Sequence, residues 1–148
     1  MTVTVPWPNE ASPGLRPFWI SVPDGWTAVE PPGALIAFSG PERSGYRPSV
    51  VVFGERLPAD VPLGEVAEQA LLDLNAHSII RPLTPDDTAA VREATVTVDG
   101  RDFRHLVLAA GGSDQSPGGL RTVHLLLGTQ LAAEQDVLAD VFSSFACE

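Results

Sequence analysis

Apolar and polar residues alternate from Phe18 to Val22. On the two-residue period of a strand, Phe18, Ile20 and Val22 share one face, and Trp19 and Ser21 the other. Pro23 has no N–H to give and ends the ladder. Asp24-Gly25 supplies a turn, and Trp26 can fold back to cap the core edge. Ala34–Ser39 reads as a second strand with Ile36 and Phe38 on one side, and Gly40–Pro48 as a polar loop. Ser49–Leu57 is a third strand. Its run Val50-Val51-Val52-Phe53 is apolar on both faces, so it is central and each face needs a cover. Leu63–Ala76 provides one: Val66, Ala67, Ala70, Leu71 and Leu74 form a helical stripe, opened by Asp60 or Pro62 and ended by Asn75-Ala76-His77.

The second half repeats the pattern. Ser78–Leu83 reads as a short strand, followed by a turn marked by Pro82, Pro85 and Asp86-Asp87. Arg92–Val98 alternates, with Ala94, Val96 and Val98 inward. Asp99-Gly100 is a hairpin turn of the kind that needs positive φ at both positions. Arg101–Ala110 returns, Gly111–Gly119 is a flexible loop, and Leu120–Gln130 is a long strand with Val123, Leu125 and Leu127 on one face. Ala132–Phe145 carries a second helical stripe of Val137, Leu138, Val141, Phe142 and Phe145. The fold class expected is α+β: a mostly antiparallel sheet of six or seven strands layered with two main helices. Residues 1–17, rich in proline, form an N-terminal arm with a short strand at Thr2–Val5. Its Trp7 is expected to be pinned on the domain surface, and residues 18–146 make a single domain.

Composition narrows the function. The chain has 148 residues, 44% of them hydrophobic, which is enough for a core of its own. The net charge is −10, lysine is absent, and the nine arginines are scattered. Such a chain repels nucleic acid and anionic lipid, so neither is an expected partner. Lysine-free, arginine- and proline-rich usage points to a high-GC genome. The single cysteine, Cys147, makes no internal disulfide. The N-terminus lacks a basic, apolar signal pattern, and no run reaches the ~18 apolar residues of a membrane span. The expected location is the cytoplasm.

Several local words occur together: Val22-Pro23-Asp24-Gly25-Trp26, a Val/Phe strand before the Leu63–Ala76 helix, Val98-Asp99-Gly100-Arg101, and a closing helix ending in Ser143-Ser144-Phe145. In that order they resemble the Mog1/PsbP-like fold. Within it the chain is similar to the actinobacterial LpqN/LpqT lipoprotein group over residues 15–146. The resemblance implies an antiparallel sheet between helical layers and a non-enzymatic role in interaction or assembly. It brings no catalytic residues to this chain. The group carries a lipoprotein signal and an acylated cysteine, and this sequence shows neither, which fits a cytoplasmic relative.

Candidate chemistry is sparse. His77, His105 and His124 have no metal-ligand spacing, and no metal or cofactor is expected. His105 and His124 lie on neighbouring strands. With Asp102 or Asp114 they could form a weak metal site or the acid–base pair of a small hydrolase-like enzyme, against the plainer reading of partly buried strand histidines bonded to backbone or to each other. No nucleophile elbow is present, the glycine loop precedes a strand rather than a helix, and Cys147 has no cationic neighbour. The aromatic residues say more. Trp7, Trp19, Trp26 and Tyr46 cannot all enter one core, and Arg43 and Arg47 flank Tyr46. Aromatic and arginine side chains together are the usual anchors of a protein interface. Trp19, Arg43, Tyr46 and Arg47 are therefore the candidate surface of a non-catalytic module that binds a protein partner or an apolar ligand. A structural homodimer built on an edge strand is a further expectation.

Overall fold

The computed structural model describes residues 2–74, 81–82 and 88–147. In chain order its elements are β1 (Phe18–Trp19), β2 (Thr27–Val29), β3 (Ile36–Ser39), β4 (Ser49–Pro58), α1 (Leu63–Asp73), β5 (Arg81–Pro82), β6 (Ala89–Val98), β7 (Arg101–Gly111), β8 (Leu120–Leu131), α2 (Leu138–Ser143) and β9 (Ala146–Cys147). Seven strands form one sheet in the order β2-β3-β4-β8-β7-β6-β5, and β1 pairs with β9 as a separate ribbon. Every pairing is antiparallel. The fold is α+β, as the hydrophobic pattern implies.

The apolarity of β4 on both faces has the expected cause. One face carries Val50, Val52, Leu106, Leu108 and Leu126, and is closed by Leu138, Val141 and Phe142 of α2. Phe18, Ile20, Val22 and Trp26 complete that cover. Gly128 makes the approach of α2 possible, since a Cβ there would meet Phe142 at 2.9 Å and Leu138 at 3.1 Å. The other face carries Val107, Ala109 and Val123, and receives Leu63, Ala67 and Leu71 of α1. The Asp99-Gly100 turn has φ of 52° and 78°, the left-handed pair that joins β6 to β7 with Val98 opposite Arg101.

The structure corrects several local expectations. Thr2–Val5 is not a strand, and Val3 and Val5 are exposed, because no segment among the described residues pairs with them. Trp7 is pinned to the arm itself, donating to Ser12 Oγ at 2.8 Å, and is 70% exposed. The opening strand shrinks to Phe18–Trp19. Its pairing partner is only the short β9, and the Ser21 N–H is taken by Ser144 Oγ at 2.8 Å. Thr27–Val29 is a strand the pattern did not show. Val98 is half exposed, since β6 has by then run past α1. The closing helix occupies only Leu138–Ser143. Residues 132–137 are a turn instead, organised by the buried Gln130 amide. That side chain donates to the carbonyls of Glu134 and Gln135 at 3.3 and 3.1 Å and accepts from the Val137 N–H at 3.0 Å. Asp136 then caps the helix, accepting from the N–H groups of Leu138 and Ala139. The expected helix end at Asn75–His77, the Ser78–Ile80 part of the short strand and the Asp86-Asp87 turn lie outside the described residues.

Candidate functional site

The β3–β4 connection is a second tight turn rather than an open loop. Arg43 and Tyr46 exchange both backbone hydrogen bonds, at 2.9 and 3.1 Å, around Ser44 and Gly45. Their φ values of 53° and 81° are again the left-handed pair. The turn is held from below at three points. Ser44 Oγ donates to Glu134 at 2.6 Å, the Arg101 guanidinium donates to the Ser44 carbonyl, and the Tyr46 ring stands edge-on to Phe103 at 4.9 Å. The tip is thus a fixed platform on the Leu131 end of β8.

On that platform the charges point outward. Arg43 is exposed and makes no ion pair among the described residues. Arg47 is also exposed, and donates to the Gly40 carbonyl at 3.4 Å. Tyr46 is half-buried, and burial pushes its phenol above the ordinary value, so it stays a neutral donor. Between the tip and the 130–137 turn runs a crevice lined by Arg43, Tyr46, Gln130, Gln135 and Val137. It offers about 20 Å³ of free space, room for a water molecule but not for a metabolite. The chemistry available here is surface recognition: two cations, a phenol and an amide on a rigid base.

Trp19 is exposed on the face opposite Phe18, but it stands elsewhere. Its neighbour Phe18 packs 5.0 Å from the His124 ring. His124 lies seven positions along β8 from Leu131, on the order of 24 Å away. The structure therefore brings Arg43, Tyr46 and Arg47 together and leaves Trp19 at the opposite end.

The two strand histidines do not meet. On β7 and β8, His105 is opposite Thr129 and His124 is opposite Ala110. The offset is odd, so the rings project to opposite faces of the sheet. His105 Nδ1 lies 3.0 Å from Thr129 Oγ1. Asp102 accepts from Thr97 Oγ1 and approaches neither ring. His124 is fully buried, edge-on to Phe18 and Phe145, and neither of its nitrogens makes a hydrogen bond of normal geometry. Burial lowers the pKa of both histidines. For His124 the Arg16 backbone and the Asp114 charge oppose that effect without cancelling it.

Asp114, placed by pattern in a flexible loop, is instead an anchor. It pairs with Arg56 at 2.8 Å and accepts from the Thr122 hydroxyl at 3.0 Å. Burial alone would raise its pKa. The hydrogen bonds from Arg56 and Thr122, with the Arg56 charge, hold it below the ordinary carboxylate value. Arg56 also donates to the carbonyls of Gly14 and Leu120, each at 2.7 Å, tying the arm to the sheet. The sequence carried a signal for this. Arg56 shares the strand face of Val50 and Val52, so a cation was due on the core side and needed a buried anion.

Among the described residues no group of three His, Cys, Asp or Glu side chains could hold a metal ion, and no helix is long and apolar enough to cross a membrane. No protein-family model and no curated relative matches the sequence. Among solved structures the chain is similar to LpqN of Mycobacterium tuberculosis, described as involved in cell envelope biogenesis. The TM-score is 0.66 at 17% identity, over 92% of this chain and 86% of that one. At that identity the likeness is one of fold, and the chain has an LpqN-like fold, as the order of its elements implied.

Proposed function

We propose that the chain is a non-catalytic binding or assembly module that contacts a protein partner through the β3–β4 tip, with Arg43, Tyr46 and Arg47 as anchors. One observation carries this reading. In a protein of net charge −10, two exposed arginines without a carboxylate partner among the described residues flank a half-buried tyrosine on a turn braced at Ser44 and Phe103. A braced turn loses little backbone freedom on binding, and arginine with tyrosine is the composition of interface hot spots. The narrow crevice favours a protein surface over a small molecule. The fold shared with LpqN, a protein involved in cell envelope biogenesis, supports an assembly role over catalysis.

The test is capture from source cells with the wild-type chain and an Arg43→Ala/Arg47→Ala variant of equal thermal stability. A partner retained by the wild type, lost with the variant and rebound when purified supports the reading. Equal retention by both baits defeats it.

A further inference from the structure

The face covered by α1 is covered only in part. α1 lies over β6 and β7. Beside it, over β4 and β8, the sheet is left open as a trough of about 450 Å³. Leu57 and Leu125 form its floor, and Val66 and Ala70 of α1 form one wall. A second depression of about 250 Å³ shares Val66 and Leu125 and continues to Phe53. The trough follows α1, whose 11 residues span about 16 Å.

Its rim is anionic. Glu55, Glu65 and Asp73 line it and are exposed, and among the described residues no arginine or histidine lines either depression. None of the three carboxylates makes an ion pair among the described residues. Asp73 stands in the last turn of α1, where the helix dipole disfavours a carboxylate, and is met by the Gln69 amide at 2.9 Å. An apolar floor between unpaired carboxylates matches an occupant with apolar anchors and cationic flanks. The same rim repels anionic lipid and nucleic acid.

We infer that the trough between α1 and strands β4 and β8 is a docking groove for a basic amphipathic segment of a partner protein. The segment lays leucine-like side chains on Leu57 and Leu125 and sets lysine or arginine against Glu55, Glu65 and Asp73, the helix-in-groove mode of peptide recognition. This surface is separate from the β3–β4 tip, and the inference stands whether or not the tip binds anything.

The experiment uses the full chain and fluorescence anisotropy. The probes are a short labelled amphipathic helix of leucine and lysine, the same pattern with glutamate for lysine, and the lysine peptide with serine for leucine. Saturable binding of the Leu/Lys peptide alone is expected. Glu55→Gln/Glu65→Gln/Asp73→Asn should weaken it about tenfold, the scale of three exposed ion pairs. The control Glu10→Gln/Asp24→Asn/Glu30→Gln removes the same charge elsewhere and should leave it unchanged. Thermal melts of both triple variants should match the wild type. Equal weakening by both sets would mean general attraction to an acidic protein and would overturn the inference, as would absent binding or equal binding of the serine peptide. Sedimentation of the chain alone covers the remaining occupant. Self-association lost with Arg43→Ala/Arg47→Ala would assign the groove to the tip of a second copy and overturn the choice of a separate partner.

Discussion

The two ends of β8 handle polar groups in opposite ways. At the Thr122–His124 end, a polar cluster is turned inward on the face covered by α2. Arg56, Asp114 and Thr122 satisfy one another, and they hold the Gly14 carbonyl and the Arg16 N–H of the arm. His124 sits under Phe18 and Phe145, next to the β1–β9 ribbon. At the Gln130–Leu131 end, the buried amide shapes a turn that supports the tip, and the tip presents Arg43 and Arg47 to solvent. The same strand thus closes the fold at one end and offers charge at the other. Polar residues turned inward contribute to stability and respond to pH. Polar residues turned outward on a braced turn contribute little to stability and are free for binding.

Changes at the closed end should therefore cost most. Arg56→Ala leaves Asp114 without its cation and the Gly14 carbonyl without the guanidinium, while the Leu120 carbonyl keeps the Ser116 N–H at 2.8 Å. The expected loss is about 3 kcal/mol by urea unfolding, the scale of breaking a largely buried pair. A loss near zero would mean the arm and loop are held by other contacts.

Gly128→Ala comes next. It pushes a methyl into Leu138 and Phe142 and should cost about 1–3 kcal/mol, with α2 lifted from the sheet. Unchanged unfolding would show that α2 shifts without penalty.

His124→Phe should have a smaller effect, of opposite sign. An apolar ring replaces a buried imidazole that lacks hydrogen bonds of normal geometry, so stability at neutral pH should be equal or higher by about 1 kcal/mol. The pH profile is the sharper readout. Unfolded histidine takes up its proton near pH 6.5, and folded His124 does so only at lower pH. Between those values the unfolded chain binds more protons, so wild-type stability should fall as pH drops below about 6.5. His124→Phe should lose part of that slope, and half-buried His105 should keep a share of it. Asp114 acts in a lower window: its depressed pKa gives stability that is lost only as pH falls below the carboxylate range, near 4. An unchanged slope between pH 6.5 and 5 in His124→Phe would contradict this assignment.

Smallest of all in stability is Arg43→Ala/Arg47→Ala, expected within about 0.5 kcal/mol of the wild type. That near-silence is what separates the tip from the closed end.

The sheet was legible in the sequence because its signals are local and periodic. Alternation in Arg92–Val98, the Asp99-Gly100 turn and the stripe Val66–Leu74 each follow from the geometry of one element. The Asp24-Gly25 turn and the outward Trp19 were legible for the same reason. What the pattern missed depends on distant partners. Nothing near Gln130 says that its amide will turn inward and break the first turn of the expected closing helix, although Asp136 before Val137-Leu138 is a capping signal for the later start. β1 and β9 pair across a long separation, 129 positions for Phe18 and Cys147, which no local pattern announces. Within the candidate site, Arg43, Tyr46 and Arg47 were legible as one group because one turn holds them. Their separation from Trp19, and of His105 from His124, followed only from strand register, which hydrophobic pattern does not fix.

The most direct test sets the two ends of β8 against each other in one experiment. A partner captured by the wild-type chain is titrated with Arg43→Ala/Arg47→Ala and with Trp19→Ala, each checked for an unchanged melting temperature. Loss of binding in the arginine variant with affinity retained in Trp19→Ala is the predicted result. Loss in Trp19→Ala with full affinity in the arginine variant would place the contact at the β1–β9 end and contradict the account.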